Sequence, residues 1–258
     1  MTTLSIEEFD SKMKELLLVP GVVEHLEVDN YQNGLATQGS GSVSKIGFGV
    51  SASLDLFHLA AKAGCGAIVV HHGLALGGPL LDDITYHRLA YLIKNDIALW
   101  GAHFALDAHP ELGNAAQILI MIGATTTDAY FDKEGPWGRV ADVPSTTLDA
   151  VVSAMGEYVS PSTVVYDYGN KEIKRVACIT GSGGPSLADI TALKNDGVDL
   201  FITGVAYESH RDAFKEAGMN FIAAGHYHTE MVGVQALQKV VEEEWGVETV
   251  WLDVENVI

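Results

Sequence analysis

Basic residues are scarce in this sequence, and that scarcity narrows the choice of partners. The 258 residues hold 15 Lys and Arg against 34 Asp and Glu, which gives a formal net charge of −19 at pH 7. A negative field of this size repels the phosphates of a duplex and the headgroups of an anionic membrane. We therefore expect neither nucleic acid nor a membrane as a partner, and the acidic excess by itself indicates only a solvated surface.

Cysteines and long apolar runs are scarce as well. Cys65 and Cys178 lie in or beside apolar stretches without CxxC spacing, which predicts buried, reduced thiols rather than a disulfide or a zinc site. No apolar run approaches the roughly 20 residues that span a bilayer. The acidic, amphipathic start MTTLSIEEFDSKMKELLL is unlike a secretory signal, so we expect a cytoplasmic location.

A glycine-rich turn between a strand and a helix lacks the signatures of the common phosphate and nucleophile motifs. TGSGGPS, Thr180 to Ser186, has neither the GK[ST] ending of a P-loop nor the full Rossmann spacing, and it contains no GxSxG. Its backbone amides could hold an anion. A tight structural turn is an equally good interpretation.

What the chain does contain is the alternation of strands and helices typical of α/β proteins. Capping-box spacing from Ser5 to Glu8 predicts a helix to about Leu18. KIGFGV predicts a strand, SASLDLFHLAAKAG a helix that ends at Gly64, and AIVVHHG a buried strand. These three form a βαβ unit whose parallel strands end at one edge, where open α/β sheets usually bind ligands. A further helix, DITYHRLAYLIKND, and a strand, IALWGAH, follow.

The second part of the chain resembles the first. SLDLFHLAAKAGCGAIVV, from Ser53, aligns with SLADITALKNDGVDLFIT, from Ser186, and ALWGAHFALD aligns with FIAAGHYHTE. The alternative is that all βαβ units look somewhat alike. We favour two related α/β halves, residues 1–130 and 131–258, that face one another. The Gly- and Pro-containing segment FDKEGPWGRVADVPS between them predicts a junction.

Five residues at these strand ends could ligate metal: His71, His72, Asp107, His226 and Glu230. Imidazole together with carboxylate suits zinc, iron, manganese or cobalt and disfavours an all-oxygen calcium site. Adjacent histidines on a regular strand point to opposite faces, but at a strand end both can reach one cavity, and each could serve a different ion.

Several other histidines lie in or near the same segments. His103 occupies the place in its half that His226 occupies in the other, so it could be a sixth ligand or a group that orients Asp107; we favour the latter. His228 alternates with His226 and would face away if a strand continues there. His58 and His87 lie on predicted helices and are expected at the surface, whereas His109 and His210 could line the cavity.

The strings DNYQNGL, VVHHGL, HFALDAHPELGN, GSGGPSLADI, DLFITG and AAGHYHTE occur in an order that resembles the NIF-three-like family of dinuclear-metal proteins, also known as GTP cyclohydrolase I type 2 homologues. The resemblance covers nearly the whole chain. It implies two similar α/β halves packed around a central cleft, a pair of divalent ions there, and a toroidal homo-hexamer. The family's ligands fall on the five residues already selected.

Two functions are compatible with this resemblance. The first is a metal-dependent hydrolase that acts through a metal-activated water on a small nucleotide-like substrate such as GTP, with catalytic roles for Glu230 and His103; His103, His228 or Glu208 could shuttle protons. The alternative is a non-catalytic metal-binding hexameric ring that binds a partner or regulates. The absence of an obvious general acid or base beyond the ligands favours the alternative.

Overall fold

The structure is a computed structural model that describes residues 2–29, 33–39, 41–74, 82–132 and 135–258. The chain forms two compact units. The first comprises Met1–His109 and Val234–Val254, and the second comprises Pro110–Gly233 and Glu255–Ile258. Each unit is therefore assembled from separate stretches of sequence.

The first unit is built on a five-stranded sheet. Its elements are β1 (Leu4–Ser5), α1 (Ile6–Leu17), β2 (Gly34–Thr37), β3 (Ser42–Val43), β4 (Lys45–Ser51), α2 (Leu54–Ala63), β5 (Ala67–His72), α3 (Asp83–Lys94), β6 (Ala98–Gly101), α4 (Phe104–Asp107) and β13 (Glu248–Trp251). The sheet order is β13-β4-β5-β6-β2, in which the first four strands are parallel and β2 is antiparallel to β6. β1 and β3 form a separate antiparallel pair.

The helices of the first unit begin and end where the local sequence dictates. Ser5 and Glu8 form the expected capping box at the start of α1, because a side-chain oxygen there satisfies an amide that has no partner within the helix. The Ser53 hydroxyl caps α2 by accepting from the amide of Leu56, and Gly64 ends that helix with a positive φ of 74°. Leu56 and Phe57 turn inward from α2 and pack in the apolar core beneath the sheet.

The second unit contains a six-stranded mixed sheet. Its elements are α5 (Asn114–Met121), β7 (Asp128–Asp132), β8 (Gly135–Thr146), α6 (Leu148–Met155), β9 (Val164–Tyr166), β10 (Ile173–Cys178), α7 (Leu187–Asn195), β11 (Leu200–Thr203), α8 (Glu208–Ala217), β12 (Asn220–Ala223) and the start of α9 (His226–Trp245). The order is β7-β8-β10-β11-β12-β9, in which β10 pairs with β11 and β11 with β12 in parallel, and the other neighbouring pairs are antiparallel. Two apolar clusters of buried residues form its core.

The internal similarity of the sequence corresponds to a repeated order of elements. Each unit contains three adjacent parallel strands with a helix in each connection, β4-α2-β5-α3-β6 in the first and β10-α7-β11-α8-β12 in the second. The aligned residues Leu54 and Leu187 both begin a helix. The aligned glycines Gly64 and Gly197 both follow a helix with positive φ. The α/β class predicted from the sequence is confirmed.

The expectation that FDKEGPWGRVADVPS is a junction is wrong, because most of this segment lies in the antiparallel pair β7 and β8. Proline removes a ladder donor and so usually ends a strand. Here Pro136 and Pro144 both lie on β8 where the pairing register shifts, the first opposite β7 and the second opposite β10. The irregularities accommodate the prolines without ending the strand.

Both cysteines are buried and free of disulfides, as predicted. Burial raises the pKa of the Cys65 thiol to about 11, because the low-dielectric interior disfavours the thiolate. None of the helices in the described part of the chain is long and apolar enough to cross a membrane.

Candidate metal centre

The paired histidines are the last two residues of β5, a strand with neighbours on both sides. Val70 pairs with Gly101 of β6, and His72 itself pairs with Ser51 of β4. His71 is fully buried, whereas His72 is partly exposed. Their ring centroids lie 4.8 Å apart. The end of the strand thus keeps both imidazoles close together, although a regular strand would direct them to opposite faces.

In both histidines, Nδ1 lies within hydrogen-bond distance of a polar group of the same unit. His71 Nδ1 lies 3.1 Å from the carbonyl oxygen of Ala102. A carbonyl only accepts, so Nδ1 carries the proton and Nε2 keeps the lone pair. His72 Nδ1 lies 2.9 Å from Ser51 Oγ. Metal-binding histidines show this arrangement, in which one nitrogen is fixed by an outer partner and the other ligates.

His103 and Asp107 reach the same region from the short helix that follows β6. His103 is the residue before α4, and Asp107 is its last residue. Asp107 Oδ2 lies 3.6 Å from His71 Nε2. Ligand atoms of His71, His72 and His103 all lie within 4.8 Å of one another. The first unit thus brings three imidazoles and a carboxylate together.

The second unit supplies a histidine and a carboxylate on the first turn of α9. His226 and Glu230 are four residues apart, so they share one face of the helix. His226 Nε2 lies 3.1 Å from Glu230 Oε1, and Glu230 is only 4% exposed. Thr229, between them in sequence, accepts a hydrogen bond from the amide of Gly181 at 3.2 Å and donates one to the carbonyl of Gly225 at 2.9 Å. These bonds tie the helix start to the glycine-rich turn.

The glycine-rich turn approaches this pair so closely that an added Cβ at Gly181 would overlap the Glu230 carboxylate. A Cβ on Gly181 would lie 2.1 Å from Glu230 Oε1 and 3.1 Å from His226 Nε2. A Cβ on Gly204, which follows β11, would lie 2.8 Å from the Cα of His226. A side chain at Gly204 would collide with backbone, and one at Gly181 would force the Glu230 carboxylate to move. The backbone after β10 and β11 therefore forms a cradle for the first turn of α9.

The donor set fits a divalent transition metal. Two ligand atoms that are each about 2.0–2.2 Å from one ion lie roughly 3–4 Å apart. The His71–Asp107 separation of 3.6 Å and the His226–Glu230 separation of 3.1 Å both fall in that range. Imidazole and carboxylate together are the ligands that zinc, iron and manganese accept.

The five residues predicted as ligands thus lie on β5, α4 and α9, and the assignment of each as a ligand stays a prediction. His226 and His228 both lie in the first turn of α9. The expectation that His228 faces away assumed a strand there, and the His228 side chain is buried, at 8% exposed. His210 and His109 are buried, and His58 and His87 are exposed on helices, as expected for the latter two.

Two groups close to the side chains of the candidate site were not assigned by sequence reasoning. Gly181 belongs to the turn interpreted as an anion site or a structural turn. Asp29 begins the motif DNYQNGL, which carried the family resemblance without a role for any of its residues; residues 30–32 lie outside the described residues. Asp29 Oδ1 lies 2.7 Å from His103 Nδ1. The motif could have drawn attention to Asp29. Its contact with His103 could not be inferred, because the two residues are 74 positions apart in the sequence.

Comparison with known proteins shows the family of the chain. The family model Duf34/NIF3 (NGG1p interacting factor 3) matches residues 13–257. A "GTP cyclohydrolase 1 type 2 homolog" of Archaeoglobus fulgidus is 36% identical over 90% of this chain and 94% of its own length. One of Escherichia coli K12 is 38% identical, with 88% and 91% covered.

A solved structure shares the fold along its whole length. The crystal structure of TTHA1606 from Thermus thermophilus superposes with a TM-score of 0.84 and 29% sequence identity, and covers 99% of this chain and 100% of that one. The sequence resemblance and the fold therefore lead to the same family, and the chain belongs to the Duf34/NIF3 family.

Proposed function

We propose that this protein is a divalent-metal-dependent hydrolase for a small nucleotide-like substrate, with His71, His72, Asp107, His226 and Glu230 as its metal ligands. The observation that carries the proposal is the cluster of His71, His72 and His103, whose ligand atoms lie within 4.8 Å of one another. Three imidazoles seldom gather at a strand end for structural reasons alone, because each must find a partner when buried.

The likeness to relatives named GTP cyclohydrolase 1 type 2 homolog supports the choice of substrate class. Divalent ions supply Lewis acidity and lower the pKa of a bound water towards about 7, which produces a nucleophile at neutral pH. The protein's own residues would hold the ions and orient the ligand side chains. Ala102 and Ser51 fix the rings of His71 and His72, and the buried Glu230 presents one carboxylate oxygen beside His226.

The first test is the metal content of untagged protein purified without a chelator, measured by elemental mass spectrometry. We expect about two ions per chain in the wild type, as in other two-metal hydrolases, and a clear loss in His72→Ala. His87→Ala is the matched control, because His87 is an exposed histidine on α3. Absence of metal in the wild type, even after anaerobic loading with iron, manganese or zinc, would refute the proposal.

The second test separates an enzyme from a metal-binding protein without activity. Metal-loaded wild type and Glu230→Gln are compared on a panel of purine nucleotides and phosphoesters, with the assembly state of both checked by light scattering. Turnover by the wild type that Glu230→Gln abolishes without loss of assembly supports the hydrolase. If the loaded wild type turns over nothing, the regulatory or partner-binding ring becomes the better account.

A further inference from the structure

The carboxylate of Asp29 lies buried beside the imidazole cluster in the first unit. Its side chain is 1% exposed. Asp29 Oδ1 accepts from His103 Nδ1 at 2.7 Å, and Oδ2 accepts from the backbone amide of Phe104 at 3.0 Å and from Asn33 Nδ2 at 2.7 Å. One carboxylate therefore contacts both the His103 ring and the start of α4.

The orientation of Asn33 follows from the bonds around it. The backbone amide of Ala105 donates to Asn33 Oδ1 at 3.0 Å. A backbone N–H can only donate, so the Asn33 atom facing Ala105 is the oxygen and the atom facing Asp29 is the NH2 group. Asp29 Oδ2 is thereby occupied by two donors.

This network determines which nitrogen of His103 carries the proton. An ionised carboxylate only accepts, so a neutral His103 must carry its proton on Nδ1, and Nε2 is left with the lone pair. The His103 ring centroid lies 4.9 Å from that of His71 and 5.5 Å from that of His72. Around catalytic ions, a histidine that ligates the metal commonly donates its other ring N–H to a carboxylate.

We propose that Asp29 is a positioning residue that acts through His103: it fixes the tautomer that presents Nε2 to the bound ion, and so makes His103 a further ligand. The inference rests on the proposed metal centre. It assigns a physical role to the first residue of DNYQNGL and decides between the two roles left open for His103.

Asp29→Asn is the decisive substitution because it preserves shape and reverses one hydrogen bond. The Asn oxygen can still accept from Phe104 N and Asn33, whereas its NH2 would donate to His103 Nδ1 and force the proton onto Nε2. Zn²⁺ affinity, measured by competition with a chromogenic chelator, should fall about 10–100-fold, the usual cost of losing an outer-shell partner.

A double-mutant cycle with His103→Ala tests whether Asp29 acts through that ring. We expect the effect of Asp29→Asn to shrink to about twofold or less once His103 is absent. Asn33→Ala is the matched control: it removes the support of α4 at Ala105 but leaves the Asp29–His103 bond, so it should weaken Zn²⁺ binding less than Asp29→Asn does. The melting temperature of each metal-free variant checks its folding.

The outcomes separate this inference from the proposed function. If the wild type binds no Zn²⁺, the metal centre itself fails, and this inference with it. If the wild type binds Zn²⁺ and Asp29→Asn binds it equally well, only the inference is overturned. A loss that persists undiminished in the His103→Ala background, or that Asn33→Ala reproduces in full, also overturns it, because Asp29 would then act by supporting the fold.

Discussion

At the scale of single residues, Gly181 lies so near Glu230 that its lack of a side chain matters to the candidate site. Gly181 has a φ of +61°, and a Cβ there would lie 2.1 Å from Glu230 Oε1. Alanine at this position would displace the Glu230 carboxylate. We expect Gly181→Ala to lose bound metal, as measured by elemental mass spectrometry.

Gly197→Ala is the matched control for that substitution. Gly197 has a φ of +79°, but a Cβ there meets nothing within 4 Å. Both alanines therefore carry a similar backbone strain, about 1–2 kcal/mol for a left-handed residue, and only one collides with a ligand. Equal metal content in the two variants would show that the cradle at Gly181 does not position Glu230.

His210 gives the stability of the second unit a pH dependence. It is 5% exposed, packs edge-on against Phe214 and Phe221, and accepts from the amide of Tyr207 through Nδ1. Desolvation lowers its pKa below the ordinary value of 6.5. The unfolded chain therefore takes up this proton first as the pH falls, and the native state loses stability.

The comparison of wild type with His210→Gln isolates this effect. The variant should be less stable at pH 8, because glutamine fills the aromatic site poorly. The difference between the two free energies of unfolding should shrink as the pH is lowered through about 6.5 and below, since only the wild type has to bury a histidine that is protonated when unfolded. Urea unfolding at several pH values measures this, and parallel pH profiles would contradict it.

At the scale of elements, α2 shows how one face of a helix stabilises the first unit. Leu56 is 1% exposed within the core, whereas Leu59 on the same helix is 37% exposed. Leu56→Ala should lower the free energy of unfolding by about 2–5 kcal/mol, because it leaves a cavity. Leu59→Ala should cost under about 1 kcal/mol. Urea unfolding followed by circular dichroism compares them, and equal losses would refute this account of the packing.

The elements also show where local pattern is a reliable guide. The caps at Ser5 and Ser53 and the terminating Gly64 place α1 and α2 almost as the sequence predicts. β8 was missed because its prolines argue against a strand, and only the registers of its neighbours reveal the irregularities that accommodate them. Local signals fail where a partner strand decides the outcome.

At the scale of the whole molecule, the family resemblance predicts a homo-hexamer. Light scattering should give a mass near six times the 27.6 kDa chain. Each chain carries a formal charge of −19, so repulsion between copies should be stronger at low ionic strength, where the Debye length reaches about 30 Å at 0.01 M. We expect the assembly to dissociate more readily there. A monomeric mass at all salt concentrations would contradict the prediction.

The sequence by itself determined the α/β class, the repeated strand–helix order and the residue types suited to metal. These follow from spacing, caps and strand ends, which are local properties. Only the tertiary structure decided that residues 234–254 return to the first unit, where β13 pairs with β4. It also decided that Asp29 contacts His103 and that Gly181 lies where a side chain would overlap Glu230. Such contacts join residues far apart in sequence. They depend on strand pairing and packing, which leave no periodic pattern in the local sequence.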